Sequence, residues 1–222
     1  NTITRWEDIS GYNHDVSASN SATKPHLRTN ILNGHQVVSF DGNSNHLDGS
    51  FGGTFGSPST IIVVPYFDDI NQTASENGYV ISIGSGSGTR NHYSIARRNS
   101  GGGDGNKYYA WINDGSPKLG DTIVGQSWNI ISQTSSSSAS FHNMYLNGTA
   151  SASLDDYSGA ISTDGVFRIG QWYNGGTNRL DGRLAEVIVY NRVLSLLEIN
   201  IVQSYLSAKY NISISNDKYN GD

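Results

Sequence analysis

Leu180-Asp181-Gly182-Arg183-Leu184-Ala185-Glu186-Val187-Ile188-Val189-Tyr190-Asn191-Arg192 reads as a long strand ending in a polar turn, and Leu194-Ser195 then opens the one convincing helix of the chain. The strand is placed over Arg183–Tyr190, rich in the β-branched residues that fit a pleated, half-buried surface. Ser195 and Glu198 form an S-x-x-E capping box, which satisfies two otherwise orphaned backbone donors. The helix is expected over Ser195–Lys209, with Leu194, Leu197, Ile201 and Tyr205 recurring at helical spacing. Lys209 lies at the negative end of its dipole. Following the last strand directly, this helix must pack on an edge or end of whatever the strands build.

Outward from this stretch, the pattern is short apolar alternation punctuated by Gly, Asn, Asp and Ser. Strands are expected at Gln36–Asp41, Ser59–Tyr66, Gly78–Gly84, His92–Arg98 and Lys107–Asn113. Further ones fall at Trp128–Thr134, Ser140–Asn147 and Gly165–Gly170. Ile61-Ile62-Val63-Val64 is apolar on both faces and belongs in the centre of a sheet. In Lys107–Asn113, Tyr109, Trp111 and Asn113 share one face, and Tyr108, Ala110 and Ile112 the other. Asn147-Gly148 is a hairpin signal, because a type I′ turn needs positive φ at both central positions. No connector is long enough for an interdomain linker and no repeat is visible, so residues 1–222 read as one domain. A polar tail, from about residue 215, is expected to fray.

Composition narrows the function. Fourteen Lys and Arg against 19 Asp and Glu give a net charge of −5, and no basic run exceeds Arg97-Arg98. That excludes an electrostatic nucleic-acid footprint. There is no apolar run of 18 residues, so no membrane insertion by a helix is expected. The chain has no cysteine, which removes disulfides and thiolate metal sites. Asn1-Thr2-Ile3 carries no leader pattern, consistent with a mature or trimmed domain. Only 15% of residues are charged, and a surface of Ser, Thr, Asn and Gly suits display outside a cell, secreted or on a cell or virion surface.

The order Trp6-Glu7-Asp8-Ile9-Ser10-Gly11, Phe40-Asp41-Gly42, Tyr145-Leu146-Asn147-Gly148, Ile169-Gly170, the 180–192 stretch, Tyr205-Leu206 and Lys209-Tyr210 resembles the laminin-G-like branch of the concanavalin A-like lectin/glucanase superfamily. The resemblance runs from Trp6 to Tyr210. It implies an all-β fold, a two-sheet antiparallel jelly-roll sandwich with one short C-terminal helix. It also implies an accessory or adhesin domain that binds glycans, in some members with calcium. The motif residues read as structural: Trp6, Phe40, Val187 and Val189 as core, Gly42, Gly148 and Gly182 as relief of turn strain.

The chemistry then sorts itself. Glucanases of the superfamily carry their acids in an E-x-D-x-x-E pattern on one strand face. Glu7, Glu76, Glu186 and Glu198 do not reproduce it. No nucleophile elbow, P-loop or H-E-x-x-H motif is present. A polysaccharide lyase is an alternative, because His92, Tyr93, Arg97, Tyr109 and Gln171 are the residue types it needs. The favoured expectation is non-catalytic carbohydrate binding, with sugar faces on aromatic rings and hydroxyls read by amides and guanidinium groups. The residues expected to do this are Trp111, Tyr109, Arg97 and Asn113, together with Trp172, Tyr173 and Asn174. A structural Ca²⁺ would draw on Asp8, Asp41, Asp181 and Glu186, if the two ends of the chain pair. The competing reading makes Asp41 and Asp181 turn residues bonded to their own backbone. A further alternative is a structural surface or decoration protein of a virion or appendage, whose partners are other protein subunits.

Overall fold

The computed structural model describes residues 1–56, 58–68, 77–84, 93–98, 105–112, 118–123, 125–136, 141–154, 162–173, 175–176 and 178–217. In chain order its strands are β1 (Arg5–Trp6), β2 (Val16–Ser17), β3 (His26–Leu32), β4 (His35–Asp41), β5 (Leu47–Ser50), β6 (Phe55–Gly56), β7 (Ser59–Phe67), β8 (Gly78–Ile83) and β9 (Tyr93–Arg97). There follow β10 (Lys107–Ile112), β11 (Lys118–Thr122), β12 (Ile131–Ser136), β13 (Phe141–Leu146), β14 (Thr149–Leu154), β15 (Ser162–Thr163), β16 (Val166–Ile169), β17 (Asp181–Tyr190) and the helix α1 (Leu196–Tyr210).

Two antiparallel sheets form a sandwich. The first has eight strands in the order β1-β2-β5-β16-β8-β9-β10-β11, and the second seven in the order β14-β13-β12-β7-β17-β4-β3. The apolar run of β7 takes the central place its composition requires, between β12 and β17. Ile61 and Val63 point into the core between the sheets, while Ile62 and Val64 join a second core beneath α1. A strand buried on both faces has no use for polar alternation, and here it has none.

The helix corrects one expectation. It lies across the outer face of the seven-stranded sheet, where Ile199, Leu206 and Tyr210 pack with Val37, Ile62, Val64 and Ala185. It does not sit at an edge, because that outer face is itself apolar and needs cover. The capping box is present, with Ser195 Oγ accepting from Glu198 N–H and the Glu198 carboxylate accepting from Ser195 N–H. Of the residues that recur at helical spacing, Leu197, Ile201 and Tyr205 face away from the sheet, Leu197 being 68% exposed.

A bulge decides where Glu186 goes. Leu184 pairs with Pro65 and Val187 with Val63, so Ala185 and Glu186 together oppose Val64. The extra residue turns Glu186 to the helix side. There it accepts from Lys209 Nζ at 2.9 Å and from the Tyr210 hydroxyl at 2.7 Å. Gly182 serves close approach and not a turn: a Cβ there would strike the Tyr66 carbonyl of the neighbouring strand. Asn147 and Gly148 do make the expected turn, at φ 47° and 84°.

The chain end is held further than its composition predicts. Ser215 N–H bonds Asn147 O at 2.9 Å, Asn216 Nδ2 bonds Gly148 O at 2.9 Å, and Ser207 Oγ bonds Asp217 Oδ2 at 2.9 Å. The β13–β14 turn thus docks Ser215 and Asn216, and α1 holds Asp217. Among the described residues no helix is long and apolar enough to cross a membrane.

Candidate functional site

The outer face of the eight-stranded sheet differs from its inner face in kind. On the inner face Ile81, Ile83, Tyr93, Ile95, Tyr108 and Ala110 enter the core. On the outer face register pairs Ser17 with Asp48, Asp48 with Arg168, Arg168 with Ser82, and Ser82 with Ser94. Directly opposed residues share a face, so these form one polar row across the sheet. Trp111 occupies the next register position, opposite Ser94. Its side chain lies outside the described residues, as do Asn113 and Asn174 entirely.

Residues 171–172 and 178–179 pair antiparallel as the two arms of a small hairpin. An isolated bridge joins Gln171 to Arg179, and Trp172 N–H donates to Asn178 O at 3.0 Å. Ser82 Oγ donates to the Gln171 carbonyl at 2.8 Å, and Arg168 Nη1 donates to the Tyr173 carbonyl at 2.9 Å. These bonds tie the hairpin down onto the polar row.

Aromatic rings then step across this face. The ring centroids of Tyr109 and Tyr79 are 6.2 Å apart, and Tyr79 and Trp172 stack at 6.0 Å and 28°. Trp172 meets Tyr173 edge-on at 5.0 Å and 68°. Tyr79 and Tyr109 are buried and support from beneath, while Trp172 and Tyr173 are partly buried. Burial pushes both supporting phenols up, and Tyr79 is raised further by its neighbour Tyr109. They stay neutral at any ordinary pH. Arg98 places its guanidinium 5.9 Å from the Tyr109 ring centroid.

Tyr109, Trp172 and Tyr173, three of the residues expected to bind sugar, therefore lie together on this face, Tyr109 buried beneath the other two. Arg97 does not join them. It pairs with Tyr108, so it faces the opposite side from Tyr109, and it is 2% exposed. Its guanidinium lies 5.5 Å from the Phe67 ring and donates to Asn106 Oδ1 at 3.0 Å. It is a core residue. The lyase set disperses for the same reason. Tyr93 faces the core, 5.8 Å from His142, on the opposite side of the sheet from Tyr109, and His92 lies outside the described residues.

The four carboxylates considered for calcium do not converge. Asp41 and Asp181 are register partners where β4 meets β17. Asp41, however, already accepts from the N–H groups of Asn43, Ser44 and Asn45 and from Ser44 Oγ. Partial burial pushes its carboxyl up, and these donors outweigh that and hold it below the usual range. Asp8 organises its own loop, accepting from the N–H groups of His14 and Ser10, which lower its carboxyl. Glu186 is occupied by Lys209 and Tyr210. Among the described residues no group of three or more His, Asp or Glu could hold a metal ion. These residues do not fit a Ca²⁺ site.

Sequence reading missed Tyr79, Arg98 and Arg168. Arg168 had a signal. A charged residue between Phe167 and Ile169 in a short strand must point away from the core that its neighbours enter.

A family model described as "Concanavalin A-like lectin/glucanases superfamily", of laminin G type, matches residues 67–200, more than half of the chain. The chain belongs to that family. No curated protein matches it. Among solved structures it is similar to Trypanosoma rangeli sialidase, at 14% identity and a TM-score of 0.66, covering 96% of this chain and 32% of the other. It is similar to the ligand binding domain of Botulinum neurotoxin serotype D in complex with N-acetylneuraminic acid, at 15% and 0.65, covering 92% and 50%. It is also similar to domain 4 of AbnA, an extracellular arabinanase from Geobacillus stearothermophilus in complex with arabinotriose, at 11% and 0.60, covering 82% of each. The chain thus spans about a third of the sialidase and half of the neurotoxin fragment. Likeness at this identity is likeness of fold.

Proposed function

We propose that this chain is a non-catalytic carbohydrate-recognition module displayed outside the cell. The observation that carries the reading is the partly buried Trp172–Tyr173 corner on the outer face of the eight-stranded sheet, with Trp172 stacked on Tyr79, Tyr109 edge-on beside it, and polar side chains around them. Aromatic faces pack against sugar C–H groups, and planar polar groups beside them read hydroxyls. Two of the structural neighbours carry saccharides in their complexes, which adds to the case by analogy. The test is a glycan and polysaccharide screen of the intact chain, wild type and Trp172→Ala. Saturable binding to at least one saccharide, weakened about tenfold or more in a folded variant, is expected. No binding by the folded wild type to neutral, uronic or sulfated polymers would overturn the reading.

A second reading, as a subunit of a surface assembly, draws on one observation. Leu197, Ile201 and Tyr205 form an apolar stripe on α1, each at least half exposed. Light scattering across concentrations, with and without Ile201→Glu, separates this from the first.

A further inference from the structure

Asp48 and Arg168 are register partners in the polar row, and His46 comes up beside Asp48. All three are partly buried. Arg168 Nε donates to Asp48 Oδ1 at 2.7 Å, and its Nη1 donates to the Tyr173 carbonyl at 2.9 Å. The guanidinium therefore joins the carboxylate directly to the residue that carries one ring of the aromatic corner. His46 Nδ1 lies 3.0 Å from the Ser44 carbonyl, an oxygen that only accepts, so Nδ1 carries the ring proton. In the neutral ring Nε2 is then a bare acceptor. It faces Asp48 Oδ2 at 3.6 Å, beyond hydrogen-bond reach. Two acceptors stand face to face, and among the described residues no donor serves either of them. Beside them, Arg168 Nη2 makes no bond to any described residue.

We infer that His46, Asp48 and Arg168 form the hydroxyl-reading part of the outer-face site and select an uncharged saccharide through two neighbouring ring hydroxyls. The inference rests on the carbohydrate reading and names its ligand class. A hydroxyl both donates and accepts. Two adjacent ones can donate to Nε2 and Oδ2 while their own lone pairs accept from the guanidinium. Facing acceptors turn an anion away, and the one cation of the cluster is already neutralised by Asp48. The net charge of −5 acts in the same direction at longer range. A divalent cation is a poorer match, because only two ligands converge and the guanidinium occupies the same carboxylate.

The test uses the intact chain, with lactose, cellotriose, xylotriose and mannotriose as neutral probes and sialyllactose and trigalacturonate as anionic ones. The wild type is expected to bind at least one neutral probe about tenfold tighter than either anionic probe. His46→Phe keeps a ring and removes the acceptor, so it should weaken that probe about fivefold at an unchanged Tm. A deoxy derivative lacking the hydroxyl that His46 receives should cost the wild type as much and the His46→Phe variant little, a coupling that a merely structural role would not produce. Asp48→Asn leaves Arg168 without its counterion, and should weaken the neutral probe while raising affinity for the anionic ones. Binding that Trp172→Ala removes but neither His46→Phe nor Asp48→Asn alters, or a wild-type preference for an anionic probe, would overturn this inference and leave sugar binding intact. No binding of any probe by the folded wild type would overturn the carbohydrate reading itself.

Discussion

The sandwich has two outer faces, and they are built in opposite ways. On the seven-stranded sheet the outward positions of β7 and β17 are Ile62, Val64, Ala185 and Ile188, and α1 covers them. On the eight-stranded sheet the outward positions are Asp48, Arg168, Ser82 and Ser94, with Tyr79 and Tyr109 among them, and the covering element is a short hairpin held by polar bonds. The apolar face cannot be left to water and is consumed by folding. The polar-aromatic face has no such obligation, and its Trp172–Tyr173 corner keeps part of its surface in water, which is what the proposed recognition would use. The same alternation of side chains yields an apolar face and a polar-aromatic one, and what differs is the residue supplied at every second position.

The largest expected effect tests whether the helix face is really structural. Leu206 is fully buried between α1 and the sheet, and Leu206→Ala is expected to cost about 3 kcal/mol. In a chain of this size that lowers the melting temperature by roughly 6–12 °C. Trp172→Ala, on the other face, should cost less than half as much while removing saccharide binding. Calorimetry of the two variants decides the matter. If Trp172→Ala proves the more destabilising, the distinction between the faces collapses.

A second prediction concerns the layer between the faces. His142 is buried, neither ring nitrogen has a hydrogen-bond partner, and burial pushes it down from 6.5 to about 3. Between those values the unfolded chain binds a proton that the folded chain refuses. Stability is therefore whole above pH 6.5 and falls as pH drops toward 3. From pH 7 to pH 5 the loss is about 2 kcal/mol. Asp8 and Asp41, both lowered, add their own loss only under stronger acid. Denaturant titrations at pH 7, 6 and 5 should show this slope in the wild type and not in His142→Gln. A slope that survives the substitution would place the acid sensitivity elsewhere.

Much of this contrast was legible beforehand, and the illegible part has a physical cause. β7 announces itself as central because Ile61-Ile62-Val63-Val64 leaves no polar face. The face shared by Tyr109 and Trp111 follows from alternation alone. The strands that escaped notice are His26–Leu32, Leu47–Ser50, Lys118–Thr122 and Thr149–Leu154, together with the short pieces Arg5–Trp6, Val16–Ser17, Phe55–Gly56 and Ser162–Thr163. They are short or interrupt their apolar residues with Asp, Asn, Gly and Ser, which have weak strand preference, and pairing with neighbours makes them strands. The helix misled for a related reason. It is apolar on both sides, so spacing alone could not say whether Leu197 or Ile199 meets the sheet. Arg97 and Arg98 are adjacent in sequence and lie on opposite faces, so their separate roles depend on register, which composition does not encode.

The smallest predicted effect asks what holds α1 down beyond apolar contact. The bulge at Ala185–Glu186 aims one carboxylate at Lys209 and Tyr210, in the last turn of the helix. Both partners of the ion pair keep part of their surface in water, which screens it. Glu186→Gln retains a side chain able to accept from Tyr210 and removes only the charge. The expected cost is about 1 kcal/mol, lessened by added salt, with saccharide binding on the far face unchanged. A loss as large as that of Leu206→Ala would mean that the helix is clamped electrostatically and that the apolar face beneath it contributes little. A loss near zero would leave the bulge with the steric role alone of letting β17 turn over the end of the sheet.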